Sequence, residues 1–388
     1  MRSATTAPYF AITAPGLEKL AAAELGALGI AVSDLEPGGV HFGGAHDAIL
    51  RANLHARTAS RIVVRLGEFE ARHFAELERH ARRQPWERYL ARGRAARLRV
   101  SCRKSKLYHS DAVAQRVAEA IERATGVKSA PLHGAEEDVE LAGAQLVLVR
   151  LLHDRCTISV DASGELLHRR GYRLATAKAP MRETLAAAML LAAEWRADAP
   201  LLDPMCGSGT IAIEGAMLAR RIAPGARRAF AFEQWPDFDR AQWDRLRDEA
   251  RARELPRAPG IIQASDRDAG AIEAAQANAV RAGVAGDIEF ARRALSAIAP
   301  PAAHGWIVTN PPYGLRVGER RALRDLYAQL GNVARRACPG WTLALLSAHA
   351  ELERQTAIPL AAVARTRNGG VPVRIVRGEV PSRDDARG

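Results

Sequence analysis

One turn in the carboxyl-terminal half of the chain could present a planar amine for reaction. It follows a predicted strand over 306–309 and reads Asn310-Pro311-Pro312-Tyr313. Each proline forces its predecessor out of the α region, so the backbone is held extended and the prolines offer carbonyls without competing amides. The Asn310 amide oxygen and the Pro311 carbonyl can accept both N–H bonds of an exocyclic base amine, which directs the nitrogen lone pair at an electrophile. We therefore predict Asn310, Pro311, Pro312 and Tyr313 as catalytic residues, with Tyr313 stacking on the base.

A glycine-containing loop could hold a cofactor. It joins a predicted strand over 200–202 to a predicted helix over 210–220. In an open parallel sheet the carboxyl ends of the strands form the ligand crevice, and glycines let the backbone approach a bound molecule closely. The predicted cofactor-binding residues here are Asp203, Pro204, Met205, Cys206, Gly207, Ser208, Gly209 and Thr210, joined by Asn310. With Ala212 the loop also fits the dinucleotide pattern G-x-G-x-x-A, so a nicotinamide cofactor stays as a rival interpretation.

An acid stands at the end of the next predicted strand, over 260–264. A carboxylate in this place, that of Asp266, can accept hydrogen bonds from ribose hydroxyls. Arg267 beside it is also predicted to contact the cofactor. The alternative interpretation of this segment is capping of the following helix, which Ser265 or Asp268 could perform equally well.

Helices and strands alternate regularly around these three segments. The predicted helices cover 181–195, 210–220, 268–282 and 321–337, and the predicted strands cover 200–202, 260–264, 287–290, 306–309 and 341–347. This alternation predicts an α/β fold with a doubly wound, mostly parallel sheet. Two extended runs around Asn368-Gly369-Gly370 predict a closing antiparallel hairpin, because Asn and Gly tolerate positive φ.

The first 180 residues predict smaller modules of mixed strands and helices. We expect an α/β module over 1–55, an α+β module over 56–162, a polar connector over 163–180 and the large α/β domain over 181–388. The predicted elements are strands over 9–13, 39–42, 61–66, 97–101, 145–151 and 156–161, and helices over 15–28 and 110–125.

Charge favours a polyanionic partner. The 388 residues carry 56 Lys and Arg against 44 Asp and Glu, a net charge of +12. Residues 79–106 hold eleven of the basic side chains and one acid, with Trp86, Tyr89 and Tyr108 interleaved or just beyond. This basic stretch predicts nucleic-acid contact, while a merely solvated helix face is the alternative.

Other classes of protein have little support in the sequence. No apolar run approaches the roughly 18 residues that cross a bilayer, and the first residues lack the features of a signal peptide, so we expect a cytoplasmic protein. The four cysteines are far apart and without metal-ligand spacing, so we expect neither disulfides nor a metal site.

The motifs together resemble a known family. DPMCGSGT, SDRD and NPPYG are similar to the cofactor loop, ribose acid and catalytic turn of class I S-adenosylmethionine-dependent amino-methyltransferases. GLEKLAAAEL, GGVHFGG, SCRKSKLYHSDAVAQRVAEAI and ISVDASGELLHRRGYR extend the resemblance to THUMP-containing RNA methyltransferases of the RlmL type, which make N2-methylguanine in 23S ribosomal RNA.

This resemblance implies a ferredoxin-like module, a THUMP module for RNA and a Rossmann-like methyltransferase domain. It also implies S-adenosylmethionine as cofactor, RNA as partner, and RNA contacts at Arg103, Lys104, Lys106, Arg169 and Arg170. Relatives commonly hold the adenine amino group with an Asp a few residues beyond the third strand, but residues 290–295 contain no acid. Some relatives carry a second methyltransferase domain after this one; the chain ends at 388, so we expect one reaction.

Three alternatives stay open within and beyond this family. The same chemistry could act on a transfer RNA guanosine, or on the N6 amine of adenine in RNA or DNA. A non-catalytic RNA-binding or assembly role belongs to a different class of function.

Overall fold

A computed structural model describes residues 9–134, 141, 143–173, 181–314 and 320–381. The chain forms two compact units that alternate along the sequence. The first comprises Met1–Thr13, Leu25–Leu167 and Arg228–Arg247, and the second comprises Ala14–Glu24, His168–Arg227 and Asp248–Gly388. The predicted connector over 163–180 contains the change of unit at 167–168, and its residues 174–180 lie outside the described residues.

The amino-terminal part of the chain builds one eight-stranded sheet. In chain order the helices and strands of this part are β1 (Tyr9–Thr13), α1 (Glu18–Ala27), β2 (Ala31–Glu36), β3 (Gly39–Gly43), α2 (Asp47–His55), β4 (Ala59–Glu70), α3 (Phe74–Arg82), β5 (Ala96–Arg103), α4 (Ser110–Thr125), β6 (Ser129–Pro131), β7 (Gln145–Leu152) and β8 (Arg155–Asp161). The strand order is β2-β3-β1-β4-β8-β7-β5-β6.

Strand β4 is shared between the two predicted amino-terminal modules. Its first half pairs with β1, with Ile62 opposite Ala11, and its second half pairs with β8, with Phe69 opposite Cys156. The sequence of β4 changes character at the same place, since the buried run Arg61–Val64 gives way to the alternating, more exposed Gly67–Glu70. The two modules therefore form one continuous sheet.

Residues 228–247 join this first unit through an aromatic cluster, although the sequence suggested that they belong to the large domain. The indole of Trp235 donates to the Gln145 side-chain oxygen at 2.9 Å. Phe232 packs edge-on against Trp243 with ring centroids 5.0 Å apart. These large buried rings hold the segment to the amino-terminal sheet, since aromatic side chains bury the most apolar area per residue.

The second unit has the α/β architecture that the sequence predicted. Its elements are α5 (Glu183–Ala192), β9 (Leu201–Asp203), α6 (Thr210–Ala219), α7 (Arg240–Ala252, which begins in the first unit), β10 (Ile262–Asp266), α8 (Ala269–Ala282), β11 (Ile288–Arg292), β12 (Trp306–Thr309), α9 (Arg320–Ala337), β13 (Thr342–Ser347), α10 (Ala350–Gln355), β14 (Ala361–Asn368) and β15 (Val371–Glu379). The order is β11-β10-β9-β12-β13-β15-β14, with the first five strands parallel.

The topology of this sheet determines where a ligand can bind. From β9 the chain proceeds outward through β10 to β11, and later through β12 to β13 on the other side. This reversal between β9 and β12 is a topological switch point, and the crevice at the carboxyl ends of such strands is where α/β sheets bind ligands. Strands β14 and β15 form the predicted hairpin, and β15 runs antiparallel to β13. Of the helices in the described residues, none has the length and apolar character needed to span a bilayer.

Candidate active site

A cavity of about 400 Å³ opens at the carboxyl ends of β9 and β12. The loop after β9 lines it with Asp203 and residues 205–208, and the start of α8 contributes Asp268 and Gly270. Asn310, from the turn after β12, lines the same cavity. The glycine loop and Asn310 of the Asn-Pro-Pro-Tyr turn therefore face a common space at the carboxyl ends of the two strands.

Two glycines shape the loop for different reasons. Gly207 has φ +51°, and a Cβ added there would meet no atom within 4 Å, so the backbone is open toward the cavity. Gly209 has φ +82°, and its added Cβ would lie 2.9 Å from the Ala275 Cβ. Gly207 thus leaves room for a ligand, whereas Gly209 lets α6 and α8 pack closely.

Asp203 is the buried acid of the loop. Its Oδ1 accepts a hydrogen bond from the Thr309 hydroxyl at 2.7 Å and one from the Met205 backbone N–H at 3.3 Å. Burial raises the pKa of Asp203 to about 7, the two hydrogen bonds oppose this rise, and the nearby Asp266 charge adds to it. The carboxyl is therefore poised to change charge near neutral pH.

The Asn310 amide offers an acceptor in the turn that was predicted to be catalytic. Its Oδ1 is buried and has no hydrogen-bond partner among the residues that the structure describes. Leaving a buried polar atom unpaired costs about 1–3 kcal/mol, so such an atom at the wall of a cavity indicates a ligand that donates to it. Pro311 next to it is buried and Pro312 is exposed.

Tyr313 is held by a residue that the sequence analysis treated only as a turn former. The Asn368 side-chain amide donates to the Tyr313 hydroxyl at 2.6 Å, and burial raises the pKa of Tyr313. Because β15 is antiparallel to β13, the β14–β15 hairpin returns to the carboxyl edge of the sheet. Its Asn-Gly-Gly tip was the only signal in the sequence that a side chain would reach this edge.

Asp266 organises the loop from the neighbouring strand. Its Oδ2 accepts from the Gly207 N–H and its Oδ1 from the Asp268 N–H, both at 3.0 Å. The cap of α8 is Asp268, whose Oδ1 accepts from Gly270 N–H at 2.8 Å, and Asp268 also lines the cavity. Asp268 is therefore the residue that caps the helix. Asp266 keeps lone pairs that can accept from a hydroxyl. The Arg267 side chain is exposed and does not line the cavity.

An arginine behind the loop was missed by the sequence analysis. Arg173 donates to the Met181 carbonyl at 2.7 Å and to the Thr210 hydroxyl at 2.8 Å, and both partners line the cavity. The Arg173 Nε lies 3.5 Å from Glu183 Oε1. Burial raises the pKa of Glu183 to about 7, and the Arg173 charge opposes that rise. This ion pair fixes one wall of the cavity.

Arg103, Lys104 and Lys106 are exposed at the end of β5. The segment they occupy is tied to the turn before β8, where Asp154 Oδ1 accepts from the Lys106 N–H at 2.6 Å. In the second unit, Arg169 is also exposed. These four side chains are therefore accessible to a large anionic partner.

The structure corrects the expectation for Arg170. This residue is 4% exposed, and its Nε lies 3.6 Å from Oε1 of the fully buried Glu214. A buried guanidinium that faces a buried carboxylate serves the fold, because breaking such a pair is strongly destabilising. Arg170 is not available as an RNA contact.

Two aromatic residues of the basic stretch are also core residues. Trp86 is fully buried and donates its indole N–H to the Ala81 carbonyl at 2.6 Å. Tyr89 is 8% exposed and packs edge-on against Trp235 with centroids 4.9 Å apart. Only Tyr108, 68% exposed, is open to solvent among the three aromatics considered.

Comparison with known families identifies three domains. Residues 8–63 match an RlmL ferredoxin-like domain, residues 71–161 match a THUMP domain, and residues 170–373 match an RMKL-like methyltransferase domain.

Individual relatives match nearly the whole of this chain. A putative RNA methyltransferase, slr0064, of Synechocystis is 35% identical over 97% of this chain and 98% of its own length. The ribosomal RNA large subunit methyltransferase K/L of Syntrophotalea carbinolica is 36% identical over 96% of this chain, which spans about half (53%) of that relative. The solved structure of SMU.472, a putative methyltransferase complexed with SAH, superposes with a TM-score of 0.85 at 30% identity and covers 97% of this chain and 98% of its own.

Proposed function

Since this chain belongs to the RMKL-like methyltransferase family, whose cofactor is S-adenosylmethionine, we propose that it methylates the exocyclic N2 amine of a guanosine in RNA, and that the RNA is 23S ribosomal RNA. The observation that carries the proposal is the buried Oδ1 of Asn310, which has no partner among the described residues and lies on the cavity that the glycine loop also lines. This oxygen can accept a hydrogen bond from the amine of a base.

The cavity fits the cofactor. Gly207 leaves open space beside the loop, Asp203 supplies a carboxyl for a cationic group, and Ile211 supplies an apolar wall. Asp266, which accepts from the Gly207 N–H and keeps lone pairs to spare, is our proposed acceptor for the ribose hydroxyls. The bound cofactor supplies a methyl group on a positively charged sulfur. No acid follows β11 within residues 290–295, so we assign no side chain to the adenine amino group.

The residues of the turn position the base for direct transfer. Asn310 Oδ1 and the Pro311 carbonyl accept the two N–H bonds of the amine, and Tyr313, held by Asn368, stacks on the ring. A base reaches such a pocket only after it has been extruded from its stack. Asn310 is no base, so the proton leaves the methylated, strongly acidic amine to solvent.

The RNA class rests on the module composition and the relatives. A THUMP domain and relatives whose names specify RNA or ribosomal RNA support an RNA substrate. The turn itself accepts any planar amine, so transfer RNA guanosine and adenine N6 are the competing substrates.

The test is a methylation assay followed by nucleoside mass spectrometry. Purified 23S RNA, 16S RNA and transfer RNA from cells that lack the protein are incubated with the protein and S-adenosylmethionine. We expect N2-methylguanosine in the 23S fraction. N2-methylguanosine confined to transfer RNA, or N6-methyladenosine in any fraction, would overturn the assignment of RNA or base. RNA binding without any methylated nucleoside would favour the non-catalytic role.

A further inference from the structure

A second concave surface lies on the same edge of the second unit's sheet as the cavity. Thr309 pairs with Leu345 across the parallel strands β12 and β13, so the residues after Ser347 emerge beside the Asn-Pro-Pro-Tyr turn. Ser347 in turn pairs with Arg374 of β15, which brings the β14–β15 hairpin to this edge. The Asn368–Tyr313 hydrogen bond ties the hairpin to the turn directly.

This surface consists of two adjoining cavities of about 440 and 590 Å³ that share Ala348 and Ala350 as lining residues. Six arginines line them, and we call the combined surface the arginine groove: Arg320, Arg324, Arg354, Arg365, Arg367 and Arg374.

Most of this positive charge is not neutralised by the protein. Arg374 is held by Glu353, with nitrogen–oxygen distances of 3.1 and 2.6 Å, so its charge is balanced. The other five arginines are exposed, and within the described part of the chain no carboxylate lies at ion-pair distance from them. Glu351 is the one acid among the residues that line the two cavities. An excess of exposed guanidinium groups in a concave surface attracts an anion.

A buried hydroxyl gives an independent sign of a ligand. Thr366 lines the larger cavity and is 7% exposed, and its Oγ1 is buried without a hydrogen-bond partner among the described residues. Native proteins rarely leave such an atom unpaired, and a phosphate oxygen would accept from it.

We propose that the arginine groove binds the phosphates of the RNA strand that flank the target nucleotide. The proposal rests on the proposed function, because a base that enters the Asn-Pro-Pro-Tyr turn leaves its sugar and the neighbouring phosphates outside, next to Tyr313. Arginine is suited to this task since its planar fork binds phosphate in a bidentate manner. Phosphate contacts at this point would fix the register of the strand and help offset the cost of unstacking the base.

The first test replaces two arginines of the groove in the full chain. Arg365→Gln/Arg367→Gln is compared with Arg253→Gln/Arg257→Gln, which removes the same charge from exposed positions after α7. The Kd for the RNA substrate is measured between about 50 and 200 mM salt. We expect the groove variant to bind roughly tenfold more weakly at 100 mM salt, and its slope of log Kd against log salt to fall by about 0.7 per arginine. The control should follow the wild type.

The second test uses Thr366. Thr366→Val removes the hydroxyl with little change of shape, and no hydrogen bond to a described residue is lost, so we expect an unchanged or higher Tm together with a several-fold higher KM for RNA. Thr366→Ser should restore the KM. A lower Tm with an unchanged KM would show that the hydroxyl serves the fold alone.

The outcomes separate the groove from the proposed function. If the wild type methylates RNA, the double arginine variant matches the control in Kd and salt slope, and Thr366→Val leaves the KM unchanged, the groove proposal is wrong and the function stands. If no RNA class is methylated but RNA binding still depends on Arg365 and Arg367, the function is wrong and the groove binds RNA. Groove-dependent binding of anionic lipid vesicles or an acidic protein, with groove-independent RNA binding, would overturn the groove proposal.

Discussion

The Thr309 hydroxyl donates a 2.7 Å hydrogen bond to Asp203 Oδ1, and both side chains are buried. Thr309 ends β12 and is followed at once by Asn310, while Asp203 ends β9 and begins the glycine loop. One hydrogen bond therefore links the segment proposed to hold the amine with the segment proposed to hold the methyl donor. Catalysis by positioning depends on the distance between the two, so this link bears on the rate.

Thr309→Val should remove the hydrogen bond that links the glycine loop to the Asn-Pro-Pro-Tyr turn. The variant keeps the shape but leaves Asp203 Oδ1 with the Met205 N–H as its one donor among the described residues, which raises the pKa of Asp203 further and costs about 1–3 kcal/mol of stability. We expect a lower Tm and a roughly tenfold lower kcat. Thermal denaturation and methylation kinetics measure both, with Thr309→Ser as the control that keeps the donor. A kcat for Thr309→Val equal to the wild type would contradict the positioning role.

Cofactor affinity should depend on pH through Asp203. The pKa of this group is raised to about 7 in the folded protein, which therefore holds it protonated below that pH, whereas the unfolded chain ionises it above about 3.8. The free energy of unfolding therefore falls as the pH rises from about 3.8 to 7. A cationic ligand group favours the carboxylate. Binding of S-adenosylmethionine should therefore strengthen as pH rises toward 7 and release a proton below it.

Calorimetry in two buffers of different ionisation enthalpy measures that proton. Asp203→Asn removes the charge change and should give pH-independent binding over this range. Glu183 has a pKa raised to the same region but is paired with Arg173 and does not line the cavity, so Glu183→Gln should keep the proton release. Proton release lost in Glu183→Gln and kept in Asp203→Asn would reverse this assignment.

Asn310→Ala should abolish transfer and spare the cofactor. The variant removes an acceptor that has no partner among the described residues, so we expect little loss of stability, but the amine is no longer oriented. We expect kcat to fall by about 10²–10³, as for loss of a preorganised hydrogen-bonding group, with the S-adenosylhomocysteine Kd within about threefold of wild type. Asn332→Ala, an exposed asparagine of α9, is the control. If Asn310→Ala lowers kcat and the affinity for S-adenosylhomocysteine by equal factors, Asn310 is a cofactor contact.

Asn368→Ala and Tyr313→Phe should act through one interaction. Each removes the 2.6 Å hydrogen bond while the aromatic ring stays, so each should lower kcat/KM several-fold through a less ordered ring. The double variant should be no worse than either single one, which a double-mutant cycle on kcat/KM reveals as a coupling of about 1 kcal/mol. Additive losses would show that the two residues work independently.

Arg169 and Arg170 should respond oppositely to substitution. Arg170→Gln leaves Glu214 buried without its charged partner, and breaking such a pair costs about 3–5 kcal/mol, so the Tm should fall clearly. Arg169→Gln removes an exposed charge and should lower the Tm much less than Arg170→Gln does, while weakening RNA binding in a salt-dependent manner. Thermal denaturation and RNA titration separate the two. A stable Arg170→Gln variant with weakened RNA binding would restore the original expectation.

The sequence predicted those parts of the fold whose residues show a strong local pattern. Strand β12, a short apolar run, and helix α4, with Val113, Val117 and Ile121 on one face and Gly126 at its end, agree with prediction to the residue. Strand β2 was missed because it is a mostly exposed edge strand of mixed polarity. Helix α7 was missed because its sequence is strongly polar, although Trp243, Leu246 and Ala250 recur at helical spacing.

Long-range partners explain the rest. The motifs identified the loops of the site, since the carboxyl ends of neighbouring parallel strands must meet. Asn368 and Arg173 could not be found in this way, because their roles depend on contacts 55 and 37 residues away in sequence, with Tyr313 and Thr210. Arg170 looked like its exposed neighbour because a basic run does not reveal which member faces a buried acid.

Strand β4 has a consequence for dissecting the protein. Its twelve residues pair with β1 on one side and with β8 on the other. No cut in the chain therefore separates the two amino-terminal modules without leaving a strand unpaired. A fragment beginning at residue 56 would lack β1 and bare the N–H and C=O groups alongside Ile62 and Val64, an apolar unpaired edge of the kind that recruits other chains. The THUMP portion should therefore aggregate when it is expressed alone, and it should stay monomeric only when the first 55 residues are included.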